Sequence, residues 1–306
     1  MKLAVAIASA NRSALVASTV ARLSEQSRLP DGIFVCTPDA GPITRHAPAC
    51  WTIDARDPDV GTTDQPVLIT AKQGLSAQRN RLLSTVIERG FNIVTFIDDD
   101  FLMSRDYLEN VAAAFADNPD FVTTMGHVKY DGIRGPGYTF DEGVALLARL
   151  EGDRPDQKLP PVIDHPGAYG CNMSIRLSAV GALQFDERLP LYGWQEDIDF
   201  TNQLSRRGRI VQLSSLRGVH LGYRAGRQSG TRFGYSQISN PVYLMRKGTM
   251  PIGFGTELML RNLLSNLSRS LAPEPHIDRR GRLRGNLLAL RHVLTGRIEP
   301  EFILKL

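Results

Sequence analysis

Residues 91 to 101 read FNIVTFIDDDF, an apolar run that stops at three consecutive carboxylates, Asp98, Asp99 and Asp100. Ile93, Val94, Phe96 and Ile97 have the length and β-rich composition of a strand buried on both faces, as in a sheet covered by helices. The acids then fall just past the strand's C-terminal end, where open α/β sheets bind their ligands. Three adjacent carboxylates repel one another unless a cation or strong donors compensate, and a divalent metal is the simplest occupant. A helix cap is the plain alternative, but a cap requires one acid and not three.

Similar apolar runs predict strands at Leu3 to Ala8, Ile33 to Cys36, Phe121 to Met125 and Ile210 to Leu213. Helical periodicity predicts helices at Ser13 to Ser27, Ser76 to Arg89, Arg105 to Ala116 and Asp197 to Arg207. Strand and helix in alternation imply an α/β fold with a largely parallel sheet. Residues 130 to 168, rich in Gly and Pro, read as a long loop holding one short helix near Asp141 to Leu150. The opening MKLAVAIASA imitates a signal peptide, but its apolar stretch is short and its basic region is one lysine, so a first strand is expected. No run of 18 apolar residues occurs, and no membrane span is expected.

Cys36, Cys50 and Cys171 are odd in number and widely spaced, which indicates neither a disulfide framework nor a zinc site and fits a reducing compartment. The formal net charge of +4 hides a division. Residues 1 to 202 carry 18 Lys/Arg against 27 Asp/Glu, net −9, whereas the remaining 104 carry 18 against 5, net +13. A basic C-terminal third suits nucleic acid, an anionic membrane or phosphorylated substrates, or is a solvated face, and charge alone does not choose.

A second chemical cluster is Gly193-Trp194-Gln195-Glu196-Asp197-Ile198-Asp199-Phe200. On a helix starting near Glu196, Asp197, Phe200 and Leu204 share the buried face, while Glu196, Asp199 and Gln203 share another. Acids in a first helical turn are also favoured by the helix dipole alone. His220 follows a strand and is a candidate nitrogen ligand.

In chain order, the residues that carry a resemblance are Asn11-Arg12, Gly74-Leu75-Ser76-Ala77-Gln78-Arg79-Asn80, Asp98-Asp99-Asp100, Gly170-Cys171-Asn172-Met173, Phe185-Asp186-Glu187, Glu196-Asp197 and His220. Together they resemble the family 2 glycosyltransferases of GT-A fold, the Rossmann-like fold of nucleotide-diphospho-sugar transferases, and among these the type of bacterial exopolysaccharide assembly. The resemblance covers residues 1 to 240 and leaves 241 to 306 as a helical, basic C-terminal extension. It implies that Asp98, with Asp99 beside it, contacts the nucleotide, and that Asp100 and His220 bind Mn²⁺ or Mg²⁺ on the diphosphate. Arg79 and Asn80 help to hold the nucleotide, with Ala8 and the following loop, Asn11 included, beside the base. Family members often carry an acidic pair after the second strand; here the chain has Thr37-Pro38-Asp39, and Asp39 is the expected replacement. Asp197 is the expected catalytic base, with Glu196 the competing candidate.

The reaction so implied is inverting transfer from a nucleotide sugar, UDP-sugar being the expected donor class, to a saccharide acceptor on a polyprenyl diphosphate. The expected location is the cytoplasm, peripheral on the inner face of the cell membrane, with no nucleic-acid partner. Three other classes fit less well. A haloacid dehalogenase-type phosphatase continues its Asp-x-Asp with Thr or Val, whereas Phe101 and Leu102 follow Asp100. A nucleotidyltransferase normally has a Gly-rich, basic loop after its first strand, and Ala8-Ser9-Ala10-Asn11 is not one. A nucleic-acid-binding protein leaves the acids at 98 to 100 and 196 to 199 without a purpose.

From Phe254 to Leu271, Phe254, Leu258, Leu260, Leu263, Leu264, Leu267 and Leu271 recur at helical spacing, with Arg261 and Arg269 off the stripe. Core packing is the ordinary reading of such a stripe. The functional alternative is a helix lying on an anionic membrane, helped by Arg279, Arg280, Arg282, Arg284, Arg291 and Arg297.

Overall fold

The structure, a computed structural model, describes residues 1–10, 12–41, 51–53, 65–153, 160–223 and 229–306. Its strands are β1 (Leu3–Ala8), β2 (Gly32–Thr37), β3 (Thr52–Ile53), β4 (Val67–Thr70), β5 (Ile93–Asp98), β6 (Phe101–Met103), β7 (Phe121–Asp131), β8 (Val162–Asp164), β9 (Asn172–Arg176) and β10 (Arg209–His220). Its helices are α1 (Ser13–Arg22), α2 (Leu75–Glu88), α3 (Tyr107–Asp117), α4 (Phe140–Gly152), α5 (Glu196–Leu204), α6 (Gly230–Lys247), α7 (Ile252–Arg269) and α8 (Arg279–Leu294).

Among the described residues the strands form one sheet in the order β3-β4-β2-β1-β5-β9-β7-β10-β6, with β8 also paired to β10. β3, β4, β2, β1 and β5 are mutually parallel, and β7 is parallel to β10. The sheet is nevertheless mixed rather than largely parallel, because β9 runs antiparallel between β5 and β7, and β6 and β8 run antiparallel to β10. This reversal matters to the site. It makes residues 168 to 171, just before β9, arrive at the C-terminal end of β5, where the Cys171 carbonyl accepts the Asp98 N–H at 3.1 Å. The C-terminal ends of β1, β5, β7 and β10 therefore share one edge, with Ala8 opposite Asp98 and His220 opposite Asp131 in the ladders.

Alternate residues of the central strands feed two cores. Leu3, Val5, Ile7, Ile93 and Ile97 pack with Val16 and Val20 of α1 and Leu108, Val111 and Phe115 of α3. Ala4, Ala6, Val94 and Phe96 pack on the other face with Leu82 and Val86 of α2 and Phe200 and Leu204 of α5. Each large apolar side chain so buried contributes about 1.5–3 kcal/mol. The opening MKLAVAIASA is thus an interior strand of the sheet. The segment expected as one long loop is more ordered than its Gly and Pro content suggests: β7 runs on to Asp131, α4 starts at a Thr139/Glu142 capping box, and β8 joins the sheet.

The helical extension begins earlier than expected, since α6 runs from Gly230 straight through position 240. α6 and α8 cross closely through glycines: a Cβ on Gly234 would sit 2.0 Å from the Arg282 carbonyl oxygen, and one on Gly285 2.1 Å from that of Thr231. The bundle interior is partly polar. Asn266 Nδ2 lies 2.8 Å from both Gln237 Oε1 and Asn286 Oδ1, Arg279 donates to Asn266 Oδ1 at 3.1 Å, and Asn286 donates to the Gly234 carbonyl at 2.7 Å. The leucine stripe of α7 is accordingly not core. Of its seven members only Leu258 is buried, while Leu260, Leu264, Leu267 and Leu271 are 53%, 61%, 54% and 86% exposed. Arg279 is buried in the polar interior and paired with Glu274, so it leaves the set of surface arginines. No helix among the described residues is long and apolar enough to cross a membrane.

Candidate active site

The three acids at the end of β5 divide by direction. Asp99 turns into the interior, where it accepts from Ser9 Oγ at 2.5 Å and Arg12 Nη1 at 2.8 Å, while its carbonyl accepts from Thr19 Oγ1 at 2.7 Å. Burial pushes its carboxyl up to about 7 against the opposing pull of Arg12. Asp99, expected among the nucleotide contacts, here fastens the β1–α1 connection to the acidic turn.

Asp98 and Asp100 instead converge on His220. The imidazole Nε2 is 3.3 Å from Asp100 Oδ1 and 3.9 Å from Asp98 Oδ2, and one ligand atom from each of the three residues lies within 4.8 Å of the others. Behind the ring, Nδ1 meets Asp131 Oδ1 at 2.9 Å and the Tyr169 hydroxyl at 3.2 Å. A carboxylate behind a histidine is the usual support for a metal-binding imidazole, fixing both its tautomer and its orientation. Burial works against charge on His220, but the hydrogen bonds to Asp100 and Asp131 outweigh it and raise the imidazole to about 10. Burial likewise opposes charge on Asp100; His220, Arg12 and the Tyr223 N–H at 2.6 Å outweigh it and hold the carboxyl below its ordinary range. Two buried-edge carboxylates and a supported imidazole fit a divalent cation. Asp131 and Tyr169 were not anticipated from sequence; the only signal was an acid at the end of a strand.

Arg79 joins this cluster to the second one. It is buried on α2, donates through Nη1 to Glu196 and through Nη2 to the Gly170 carbonyl at 2.7 Å, and lies 3.3 Å from Asp98 Oδ1. Gly170 in turn donates its N–H to Asp197 Oδ2 at 2.8 Å, and the Ile198 N–H reaches Asp197 Oδ1 at 2.8 Å. A Cβ at position 170 would stand 2.7 Å from Arg79 Nη1 and 2.9 Å from Asp197 Oδ2, so any other residue there must push one of these side-chain ends aside. The turn that delivers α5 has left-handed backbone at Leu191 (φ 60°) and Gln195 (φ 75°), a strained conformation for non-glycine residues of the kind found at functional sites.

The two acids at the start of α5 differ from the helical-wheel expectation. Glu196 and Asp199 are buried, and Asp197 is half-buried on a cavity wall. Glu196 is held by Arg79 of α2, and Asp199 by the helical extension, where Lys247 of α6 donates to Asp199 Oδ2 and Asp186 Oδ2, both at 2.7 Å. Burial raises Glu196 to about 8 against the pull of Arg79. Burial also raises Asp197, opposed by Arg79 and the two backbone N–H groups.

Between the clusters lies a cavity of about 630 Å³ lined by Asp98, Arg79, Tyr169, Trp194, Glu196, Asp197 and, from α7, Arg261. Not every expected residue reaches it. Asn80 exchanges hydrogen bonds with the Phe185 backbone (2.8 and 3.0 Å) and with Glu187 (3.0 Å), so it braces that loop. Ala8 ends β1 beside Asp98, and Asp39 is exposed past the end of β2, accepting from the Gly41 N–H at 2.9 Å. Asn11 and Cys50 lie outside the described residues.

Known proteins agree with this architecture. The sequence profile described as glycosyltransferase like family 2 matches residues 2–214. No curated protein matches the chain in sequence. Among solved structures, S. aureus TarS 1-349 in complex with UDP-GlcNAc is similar with a TM-score of 0.56 at 13% identity, over 97% of this chain and 83% of that one. GalNAc-T7 with UDP, GalNAc and Mn²⁺ gives 0.54 at 12% identity, over 100% of this chain and 56% of the other. The mannosyltransferase PcManGT from Pyrobaculum calidifontis, in complex with GDP-Man and Mn²⁺, gives 0.51 at 13% identity, over 99% and 85%. At such identities the likeness is one of fold. The profile, spanning more than half of the chain, together with that fold, places this protein in the glycosyltransferase like family 2, as a glycosyltransferase of GT-A fold.

Proposed function

We propose that the chain moves a sugar from a UDP-sugar to a hydroxyl of a saccharide acceptor in one inverting displacement, with Asp197 as base. The observation that carries this reading is that Asp197 and Asp98 line one cavity, Asp98 paired with Arg79 and Asp197 held by the Gly170 N–H, whose carbonyl Arg79 also binds. Asp98, Asp100 and His220 would hold Mn²⁺ or Mg²⁺, which when bound neutralises the diphosphate leaving group. Ala8, the loop after β1 and Asp39 flank the nucleoside. Asp197 takes the proton of the acceptor hydroxyl as its oxygen attacks the anomeric carbon from the face opposite the diphosphate. The old bond breaks with its electron pair leaving on the nucleotide, so the configuration inverts. Glu196, which also lines the cavity, is the weaker candidate for base, because it is only 2% exposed and engaged with Arg79, whereas Asp197 is half-buried. An acceptor carried on a polyprenyl diphosphate, as in exopolysaccharide assembly at the inner membrane face, suits the helical extension and the arginine it adds to the cavity wall.

The test is Asp197→Asn. Loss of a positioned base lowers kcat by ~10² to 10⁴-fold while nucleotide binding persists. Because burial raises Asp197, wild-type turnover should fall with acidity at a pH above the ordinary aspartate range. Near-wild-type turnover in Asp197→Asn, or a product with the donor's anomeric configuration by NMR, would sink the reading.

A further inference from the structure

We propose that the outward face of α7, joined by that of α8, is a docking surface for an anionic membrane, set so that the cavity opens beside the bilayer. The inference deepens the reading of a lipid-carried acceptor and rests on it for its purpose, though not for its geometry.

At 100° per residue, Leu260, Leu264 and Leu267 fall within one narrow arc of α7, with Leu271 just past its end on the same line. Gly255, Leu258 and Asn266, the buried residues of this helix, lie on the opposite side. The leucines therefore point away from the bundle, whose interior is already filled by the Asn266, Gln237 and Asn286 network. A contiguous row of leucines, each more than half exposed, marks a surface that something covers.

Charge selects the partner. Arg261 flanks the row on α7 and is exposed, whereas Arg269 lies on the opposite side of the helix and pairs with Glu274. On α8 the outward positions 280, 284, 287, 291 and 294 hold Arg280, Arg284, Leu287, Arg291 and Leu294, all exposed. Arg280 Nε donates to the Ser270 carbonyl at 3.1 Å, which brings the α8 face to the end of the α7 leucine row. Leucines interleaved with arginines are what an anionic interface favours. A second copy docking by the same patch would set these arginines against their own like charges. The position also fits, because Arg261 lines the active-site cavity and lies within one helical turn of Leu260 and Leu264.

Co-sedimentation of the full chain with phosphatidylcholine vesicles, and with vesicles rich in phosphatidylglycerol, tests this without nucleotide or acceptor. A failure here is thereby separate from a failure of the donor reading. Wild type should bind the anionic vesicles and release partly at high salt. Leu260→Ser/Leu264→Ser/Leu267→Ser should lose at least about 30-fold in partition, at roughly threefold or more per half-exposed leucine. Arg280→Gln/Arg284→Gln/Arg291→Gln should lose the preference for anionic lipid. All these positions are exposed, so thermal melts should confirm intact folds. Wild type that ignores anionic vesicles, or a leucine variant that binds as wild type does, overturns the proposal. So does a dimer in sedimentation equilibrium that the leucine variant dissolves, since a second copy would then own the face.

Discussion

Lys247→Met removes the cation that ties the helical extension to α5 while keeping the length of the side chain. Lys247 Nζ touches Asp199 Oδ2 and Asp186 Oδ2 at 2.7 Å each, and the Asp199 side chain is 0% exposed. Breaking a buried pair by deleting one partner costs about 3–5 kcal/mol, because the other charge stays buried. The Lys247 side chain is 26% exposed, so the lower end applies, about 3 kcal/mol. For a chain of 306 residues this lowers Tm by about 5 °C, read by circular dichroism or calorimetry. The pH dependence has a definite sign. Burial raises the Asp199 carboxyl, and Lys247 opposes that shift, so its removal raises the carboxyl further. A carboxyl raised above its unfolded value costs stability when ionised and none when protonated. The deficit of Lys247→Met should thus be full at neutral pH and shrink as pH falls toward the ordinary aspartate value of about 4. Adding Asp199→Asn should recover most of the loss at neutral pH. A Tm change under about 1 °C, or an equal loss with and without Asp199→Asn, refutes the argument.

Two further substitutions probe the site. Gly170→Ala must displace Arg79 or Asp197, and should lower kcat by at least about 10²-fold in steady-state assays with only about 1–3 kcal/mol of destabilisation; a wild-type kcat would show that the Gly170 peptide does not position Asp197. Asp131→Asn leaves His220 in place but weakens its support, and should reduce divalent-metal affinity ~10–100-fold by calorimetric titration, whereas unchanged affinity would remove Asp131 from the site.

The central strands were legible because β1 and β5 are buried on both faces and so read as unbroken apolar runs. The place of the three acids followed from the end of β5, but their division, with Asp98 and Asp100 toward His220 and Asp99 toward Arg12, is set by the turn between β5 and β6 and was not legible. β9 was not legible: Asn172-Met173-Ser174-Ile175 is short, and nothing local tells a strand that its neighbours run the opposite way. The buried ion pair of Asp199 with Lys247, 48 residues further along the chain, and that of Glu196 with Arg79, on another helix, are pairings that helical periodicity does not contain. The α7 stripe had the reverse problem. Periodicity finds an apolar face but not which side packs, and here Gly234 and Gly285 let α6 and α8 approach so closely that small and polar residues fill the bundle. Asn80 illustrates a third limit, since a polar residue within a functional motif is as able to brace a loop as to hold a ligand.

The most direct measurement of the donor site is thermal stability with UDP, GDP, TDP and CDP, each with and without Mn²⁺, on wild type and Asp100→Ala. A nucleotide at 100 times its Kd should add about 2.7 kcal/mol, or roughly 4 °C in a chain of this length. The Asp98, Asp100 and His220 cluster predicts a shift with UDP that requires Mn²⁺ and disappears in Asp100→Ala. An equal shift without metal, or one that survives Asp100→Ala, would contradict it.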